Sequence, residues 1–266
     1  MNRFAFENLF GIRGLNIAWY GIIIGCGIIL GVLLAGRRAK QRGYRSDVII
    51  DYLFWALPLA IVGARVYYVI FEWKSYAGNI IKIFAVNQGG LAIYGGVIGG
   101  MIAAIIFCII NKFPILTLLD LAVPSLILGQ VMGRWGNFIN QEAFGNVISN
   151  PSLQFFPLAV YIDRLGEWHQ ATFFYESAWN VALLFVILLL SRRKVKDGIL
   201  LSAYFIGYGL GRFWIEGLRT DSLYIVPGIR VSQMLSLLLI ALGITMLILI
   251  RKGILKTPSY EGKYLK

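Results

Sequence analysis

Two short stretches of this chain concentrate polar chemistry within otherwise apolar sequence. One contains Arg134, Asn137, Asn140 and Glu142; the other places Arg212, Glu216 and Arg219 at i, i+4 and i+7, which on a helix would share one face. Arg65 lies deep in another apolar run, Glu176 opens a further one, and Asp221 follows the second stretch. Ionisable groups at membrane depth are costly and are functional candidates by default. Two readings stand for the arginines. They are an interfacial ion-pair stripe whose long side chains snorkel to water, or they form an anion site. In the second reading the guanidinium forks of Arg134 and Arg212 bind phosphate oxygens and keep their charge when desolvated, with Glu216 holding the forks in place.

The elements that must position these groups read as membrane spans. Apolar runs occur at about 17–36, 48–71, 89–111, 115–133, 172–190, 198–216 and 231–250, each near the roughly 20 residues a spanning helix needs. Asp120 and Pro124 interrupt the fourth. Of 266 residues, 58% are hydrophobic and only 14% charged, where soluble domains carry about a quarter charged. The fold expected is therefore all-α: a polytopic integral membrane protein with about seven transmembrane helices, in a single domain over 1–266 with a more polar segment at about 134–171. Fifteen of the 25 Lys and Arg residues fall in one set of loops and the C-terminal tail, among them Arg37, Arg38, Arg192 and Arg193. The positive-inside rule assigns that side to the cytoplasm, with the N-terminus outside, the C-terminus cytoplasmic and 134–171 facing outward. The polar groups then share one level toward the outer leaflet. The net charge of +12, clustered beside apolar segments, points to anionic lipid rather than nucleic acid. No cleavable signal peptide is read, because the strongest basic cluster follows the first apolar run. Cys26 and Cys108 lack metal or disulfide spacing. Glycine pairs four apart, Gly21/Gly25, Gly27/Gly31, Gly95/Gly99, Gly96/Gly100 and Gly207/Gly211, predict close helix contacts. The glycines from Gly129 to Gly136 lack the Lys-Ser/Thr ending of a phosphate loop.

The segment Gly133-Arg134-Trp135-Gly136-Asn137-Phe138-Ile139-Asn140-Gln141-Glu142-Ala143-Phe144-Gly145 resembles the G-R-x-G-N-F-x-N-x-E-x-x-G signature of the prolipoprotein diacylglyceryl transferase family. Further matches are Trp19-Tyr20-Gly21, Gly63-Ala64-Arg65, the Gly89 to Gly96 segment, Thr172 to Glu176, and Arg212 to Arg219. The resemblance implies a multi-pass enzyme of the bacterial plasma membrane that needs no cofactor. It would take phosphatidylglycerol as donor and the lipobox cysteine of preprolipoprotein signal peptides as acceptor, forming a thioether and releasing glycerol phosphate. It implies catalytic roles for Arg134, Arg212, Tyr94 and Glu142. Substrate binding would fall to Tyr20, Arg65, Asn137, Asn140, Gly145, Glu216 and Arg219. The arginines would lower the thiol pKa, bind the donor phosphate and stabilise it as it departs with added charge. Asn137 and Asn140 would hydrogen-bond glycerol or phosphate oxygens. Glu142 has three open roles: bonding the headgroup, orienting an arginine, or taking a proton.

Tyr94 stands where the family carries a histidine. Tyrosine ionises near pH 10 and is a poor base at neutral pH unless strongly shifted, so either Tyr94 only hydrogen-bonds substrate or a nearby arginine lowers its pKa; the simplest inference is that an imidazole at this position is not required. Tyr20 reads equally as a polar handle near a headgroup and as an interfacial anchor. His169, the one histidine, is one residue out of the family's register and reads as a solvated loop residue. The rival functions are an anion transporter, for which no inverted repeat is visible, and another phospholipid-headgroup enzyme, for which no aspartate cluster for a metal is present.

Overall fold

A computed structural model describes residues 4–8, 11, 16–78, 80–85, 89–193, 195–220, 224–226 and 228–266; Lys194 and Asp221 lie outside them. Eight α-helices occur among the described residues: α1 (Trp19–Gln41), α2 (Asp47–Phe71), α3 (Trp73–Tyr76), α4 (Ile93–Asn111), α5 (Ile115–Asn140), α6 (Thr172–Arg192), α7 (Ile199–Glu216) and α8 (Val231–Arg251). Six of them, α1, α2, α4, α5, α6 and α8, are long and apolar enough to cross a membrane. At most 39% of any spanning window is buried. Bulky apolar side chains such as Phe54 at 76% and Leu238 at 63% remain exposed, as lipid-facing surfaces require. The seventh long helix, α7, has 18 residues; it carries Arg212 and Glu216 and is not among the six.

Three helix ends differ from the sequence reading by four residues or more: α1 runs on to Gln41, α4 begins at Ile93 and α5 ends at Asn140. Helix α5 continues through Pro124 to Asn140, so Arg134, Asn137 and Asn140 belong to its last turns and the polar segment begins at 141. The extramembrane segments also form, among the described residues, three short antiparallel strand pairs, β1 (Phe4–Phe6) with β2 (Ile17–Ala18), β3 (Ala159–Ile162) with β4 (Glu167–Gln170), and β5 (Tyr224–Val226) with β6 (Ile229–Arg230). Apolar periodicity at span length does not register strands this short.

The chain divides into two compact units. The first comprises Met1–Leu34 and Leu119–Lys256, the second Ala35–Leu118 and Thr257–Lys266. In the first, Ser125 Oγ donates to the Gly31 carbonyl at 2.6 Å, Ser177 Oγ to Val131 at 3.2 Å and Trp179 Nε1 to Gly207 at 2.9 Å. These bonds join α1 to α5, α5 to α6 and α6 to α7. Asp120, 1% exposed, accepts the Gly198 N–H at one carboxylate oxygen and the Leu201 N–H at the other, both at 2.9 Å. A carboxylate from α5 thus caps the start of α7, satisfying donors that a helix N-terminus otherwise leaves open.

In the second unit α2 packs on α4 through glycine. A Cβ at Gly95 would lie 2.2 Å from the Gly63 carbonyl oxygen, and one at Gly99 would lie 2.1 Å from that of Leu59. Only a bare backbone permits this approach. The same spacing does not act everywhere: nothing lies within 4 Å of a Cβ at Gly21, Gly25 or Gly100, so those expected contacts are absent among the described residues. The C-terminal tail belongs to this unit. Tyr264 Oη donates to Asp51 at 2.7 Å, and its ring meets Phe113.

Candidate functional site

Glu176, 3% exposed, is the hub of a charge cluster in the first unit. Its Oε1 lies 2.5 Å from Arg134 Nη2 on α5, and its Oε2 lies 2.9 Å from Arg212 Nη1 on α7. Arg212 Nη2 in turn reaches Glu216 at 2.7 Å. The arginine side chains are only 20% and 15% exposed. The two arginines, separated by a long stretch of chain, therefore share one carboxylate. Helix register accounts for this. Asp120 and Gly198 are bonded at a separation of 78 residues, and Arg134 and Arg212 stand at that same separation, each fourteen residues further along its helix. Parallel helices rising about 1.5 Å per residue bring the arginines level.

The cluster extends outward along α5. Arg134 Nη1 contacts Asn137 Oδ1 at 3.3 Å, and the amides of Asn137 and Asn140 donate to Glu142 Oε1 at 2.8 and 3.4 Å. Glu142 itself is exposed. Tyr20 packs directly against Gly136, where a Cβ would fall 2.0 Å from its ring. This contact explains the glycine between Arg134 and Asn137 and sets the Tyr20 ring beside them.

Gly145 sits where three segments converge. Its N–H donates to the Gln170 carbonyl at 3.0 Å, its carbonyl is met by His169 Nδ1 at 2.8 Å, and its backbone forms a bridge with Arg219. Two expectations are corrected here. His169 is 4% exposed and holds the Gly145 loop; the β3–β4 hairpin buries it against Phe144, its ring centroid 4.6 Å away. Arg219 does not continue the face of Arg212 and Glu216. Helix α7 ends at Glu216, at the Gly217 turn, and the chain leaves to pair with Gly145.

Arg65 and Tyr94 belong to the second unit. Arg65, 7% exposed, donates Nε to the Ile83 carbonyl at 2.7 Å, Nη1 to Gly89 and Gly90 at 2.8 and 2.9 Å, and Nη2 to Lys82 at 2.7 Å. Its guanidinium is thus satisfied by the segment leading into α4. Tyr94 is the second residue of α4 and is 38% exposed, with its ring 6.2 Å from that of Tyr67.

The arrangement is charge-balanced: two guanidiniums face Glu176 and Glu216. Each guanidinium has five N–H donors, and the contacts named above occupy two on each arginine. An anion can be gripped by the remainder while the carboxylates keep the planes oriented. Glu176 is the residue that sequence reasoning noted without giving it a role. The available signal is its place closing the Thr172 to Glu176 match, at the start of an apolar span.

A family model described as prolipoprotein diacylglyceryl transferase matches residues 7–249. A protein of Enterococcus faecalis named phosphatidylglycerol--prolipoprotein diacylglyceryl transferase is 47% identical over 251 residues, covering 92% of this chain and 90% of the relative. Proteins of the same name from Listeria innocua and Bacillus velezensis are each 44% identical, covering 94% and 90% of this chain and 91% and 90% of their own lengths.

Proposed function

This chain belongs to the prolipoprotein diacylglyceryl transferase family, and from that premise we propose that it transfers the diacylglyceryl group of phosphatidylglycerol to the lipobox cysteine of a preprolipoprotein. The thiolate sulfur attacks the glyceryl carbon that bears the phosphate. The carbon–oxygen bond breaks, a thioether forms, and glycerol phosphate leaves with the electron pair and an added negative charge. The thiol proton passes to a base. The observation that carries the reading is the shared contact of Arg134 and Arg212 with buried Glu176 among apolar helices. It supplies two fixed, partly desolvated guanidiniums where a phosphate gains charge.

Asn137 and Asn140 offer amide groups next to that anion site, and Glu142, which they hydrogen-bond, stands exposed as a proton acceptor or headgroup partner. Tyr20 flanks the site from Gly136. Gly145 and Arg219 shape its outer loop. Arg65, with its donors on backbone carbonyls, supports the segment that presents Tyr94. The enzyme works in the bacterial plasma membrane, with this site toward the outer leaflet.

Purified protein in detergent, given phosphatidylglycerol labelled in its acyl chains and a peptide bearing a lipobox cysteine, should label the peptide through a thioether. A Cys→Ser peptide should remain unlabelled. Folded protein that leaves both peptides unlabelled overturns the reading, and anion flux through it in lipid vesicles would favour a transporter.

A further inference from the structure

One helical turn deeper than the Arg134–Glu176–Arg212 cluster lies a second polar layer. On α6, Asn180 follows Glu176 at i+4 and is 0% exposed. On α5, Gln130 precedes Arg134 by four residues, and on α7, Tyr208 precedes Arg212 by four. Helices α5 and α7 run toward the cluster and α6 runs away from it, so all three residues lie about 6 Å below it at 1.5 Å per residue. Asn180 also faces inward. On the same helix Ser177 bonds α5 and Trp179 bonds α7, and position 180 lies between those two directions.

This layer carries polar atoms without protein partners. Neither Nδ2 nor Oδ1 of Asn180 has a hydrogen-bond partner among the described residues, and neither has Gln130 Oε1. Gln130 Nε2 is used, donating to Tyr204 Oη at 2.8 Å. Buried amides are almost always satisfied, and leaving one unsatisfied is more unfavourable than having an apolar side chain of the same shape. Gln130 and Tyr208 are only half-buried, so the layer reaches the surface beside them.

We propose that Asn180 recognises an acyl ester carbonyl of the bound diacyl phospholipid. The inference rests on the activity proposed above. With the phosphate at Arg134 and Arg212 and the acyl chains directed into the membrane, the ester groups stand a few bonds deeper than the phosphate, at the level of this layer. The amide N–H groups of Asn180 are the donors a carbonyl accepts from. The amide oxygens of Asn180 and Gln130 need donors that an ester lacks, and water entering with the lipid supplies them. The contact falls on the diacylglyceryl group that is transferred rather than on the glycerol phosphate that leaves, so it selects donors by their ester linkage.

The probe is a pair of phosphatidylglycerols of equal chain length, one diacyl and one dialkyl ether, compared as donors to the lipobox peptide. The ether lipid keeps the phosphate and the reacting carbon and lacks only the carbonyls. Wild-type protein should prefer the diester in kcat/KM by about three- to tenfold, the range of one hydrogen bond. Asn180→Leu should lower the diester rate to the ether level and leave the ether rate unchanged. Its lipid-free thermal stability should not fall, because a buried unsatisfied amide is removed. If the leucine variant fails to accumulate, Asn180→Ala is read for the same loss of discrimination. Equal wild-type rates on the two lipids, or equal slowing of both by the variant, overturns the inference. Absence of transfer from either lipid by wild type removes the proposed activity and this inference with it.

Discussion

Glu176 stands between two guanidiniums, and its charge has two opposed effects. It fixes their planes, and it offsets the field that a phosphate would feel. Replacing it with glutamine keeps the size and one acceptor but removes the charge. Glu176→Gln is therefore expected to lower kcat at least about tenfold, as for loss of preorganisation at an anion site, without raising KM for phosphatidylglycerol. Unchanged kcat would take away the orienting role. Arg212 meets both Glu176 and Glu216 and must still face the donor, which a single ammonium cannot do with a fork's geometry. Arg212→Lys and Arg134→Lys should each lose at least about tenfold in transfer rate, and alanine about 10²–10³-fold; near-wild-type rates for both alanine variants would return these arginines to a snorkelling role. At Tyr94, half-exposed at the start of α4, Tyr94→Phe should weaken transfer and Tyr94→His should be tolerated, since the family carries histidine there. Full activity of Tyr94→Phe would leave the position a packing role beside Gly95.

Helix register ties the arginines together, and the residue that sets it is distant from them. Asp120 caps α7 fourteen residues before Arg134, about 21 Å away at helical rise. Asp120→Ala leaves two buried N–H groups without an acceptor, each worth about 1–3 kcal/mol, and frees α7 to slide against α5. The transfer rate should fall, and the fall should be non-additive with Arg212→Ala, because both changes act on one arginine pair. Strict additivity of the two rate effects would mean that Asp120 contributes to stability alone. This element also shows what sequence conveys and what it withholds. The apolar runs locate the seven long helices among the described residues, missing the ends of α1 and α5 by five and seven residues and the start of α4 by four, because lipid leaves a span few alternatives. Asp120 reads there only as an interruption of the fourth run, since its partners are backbone N–H groups that no residue type announces. Arg134, Arg212 and Glu142 were legible from residue type and motif. The hub role of Glu176, the burial of His169 and the unpartnered amide of Asn180 depend on which helices lie side by side, and the departure of Arg219 depends on where α7 stops.

At the scale of the whole chain, the orientation in the membrane decides whether the site can meet a secreted peptide. In the first unit the cluster joins the C-terminal end of α5, the N-terminal end of α6 and the C-terminal end of α7. It therefore lies at the end of these helices opposite the basic loop of Arg192 and Arg193 that connects α6 to α7. Fifteen of 25 basic residues fall in that loop, the 37–47 region, Lys112 and the C-terminal tail, and a cytoplasmic excess of this kind sets topology. The N-terminus and the β3–β4 hairpin are thus expected outside and the C-terminus inside. The test starts from a chain with Cys26 and Cys108 replaced by alanine and single cysteines introduced by Arg42→Cys, Arg193→Cys or Ser152→Cys. In intact cells a membrane-impermeant maleimide should label Ser152→Cys and spare the other two, and all three should react once the membrane is permeabilised. The reverse pattern would put the arginine cluster on the cytoplasmic side, where it could not meet a signal peptide emerging outward, and would remove the proposed acceptor. Labelling of all three in intact cells would mean that the basic loops do not set the topology.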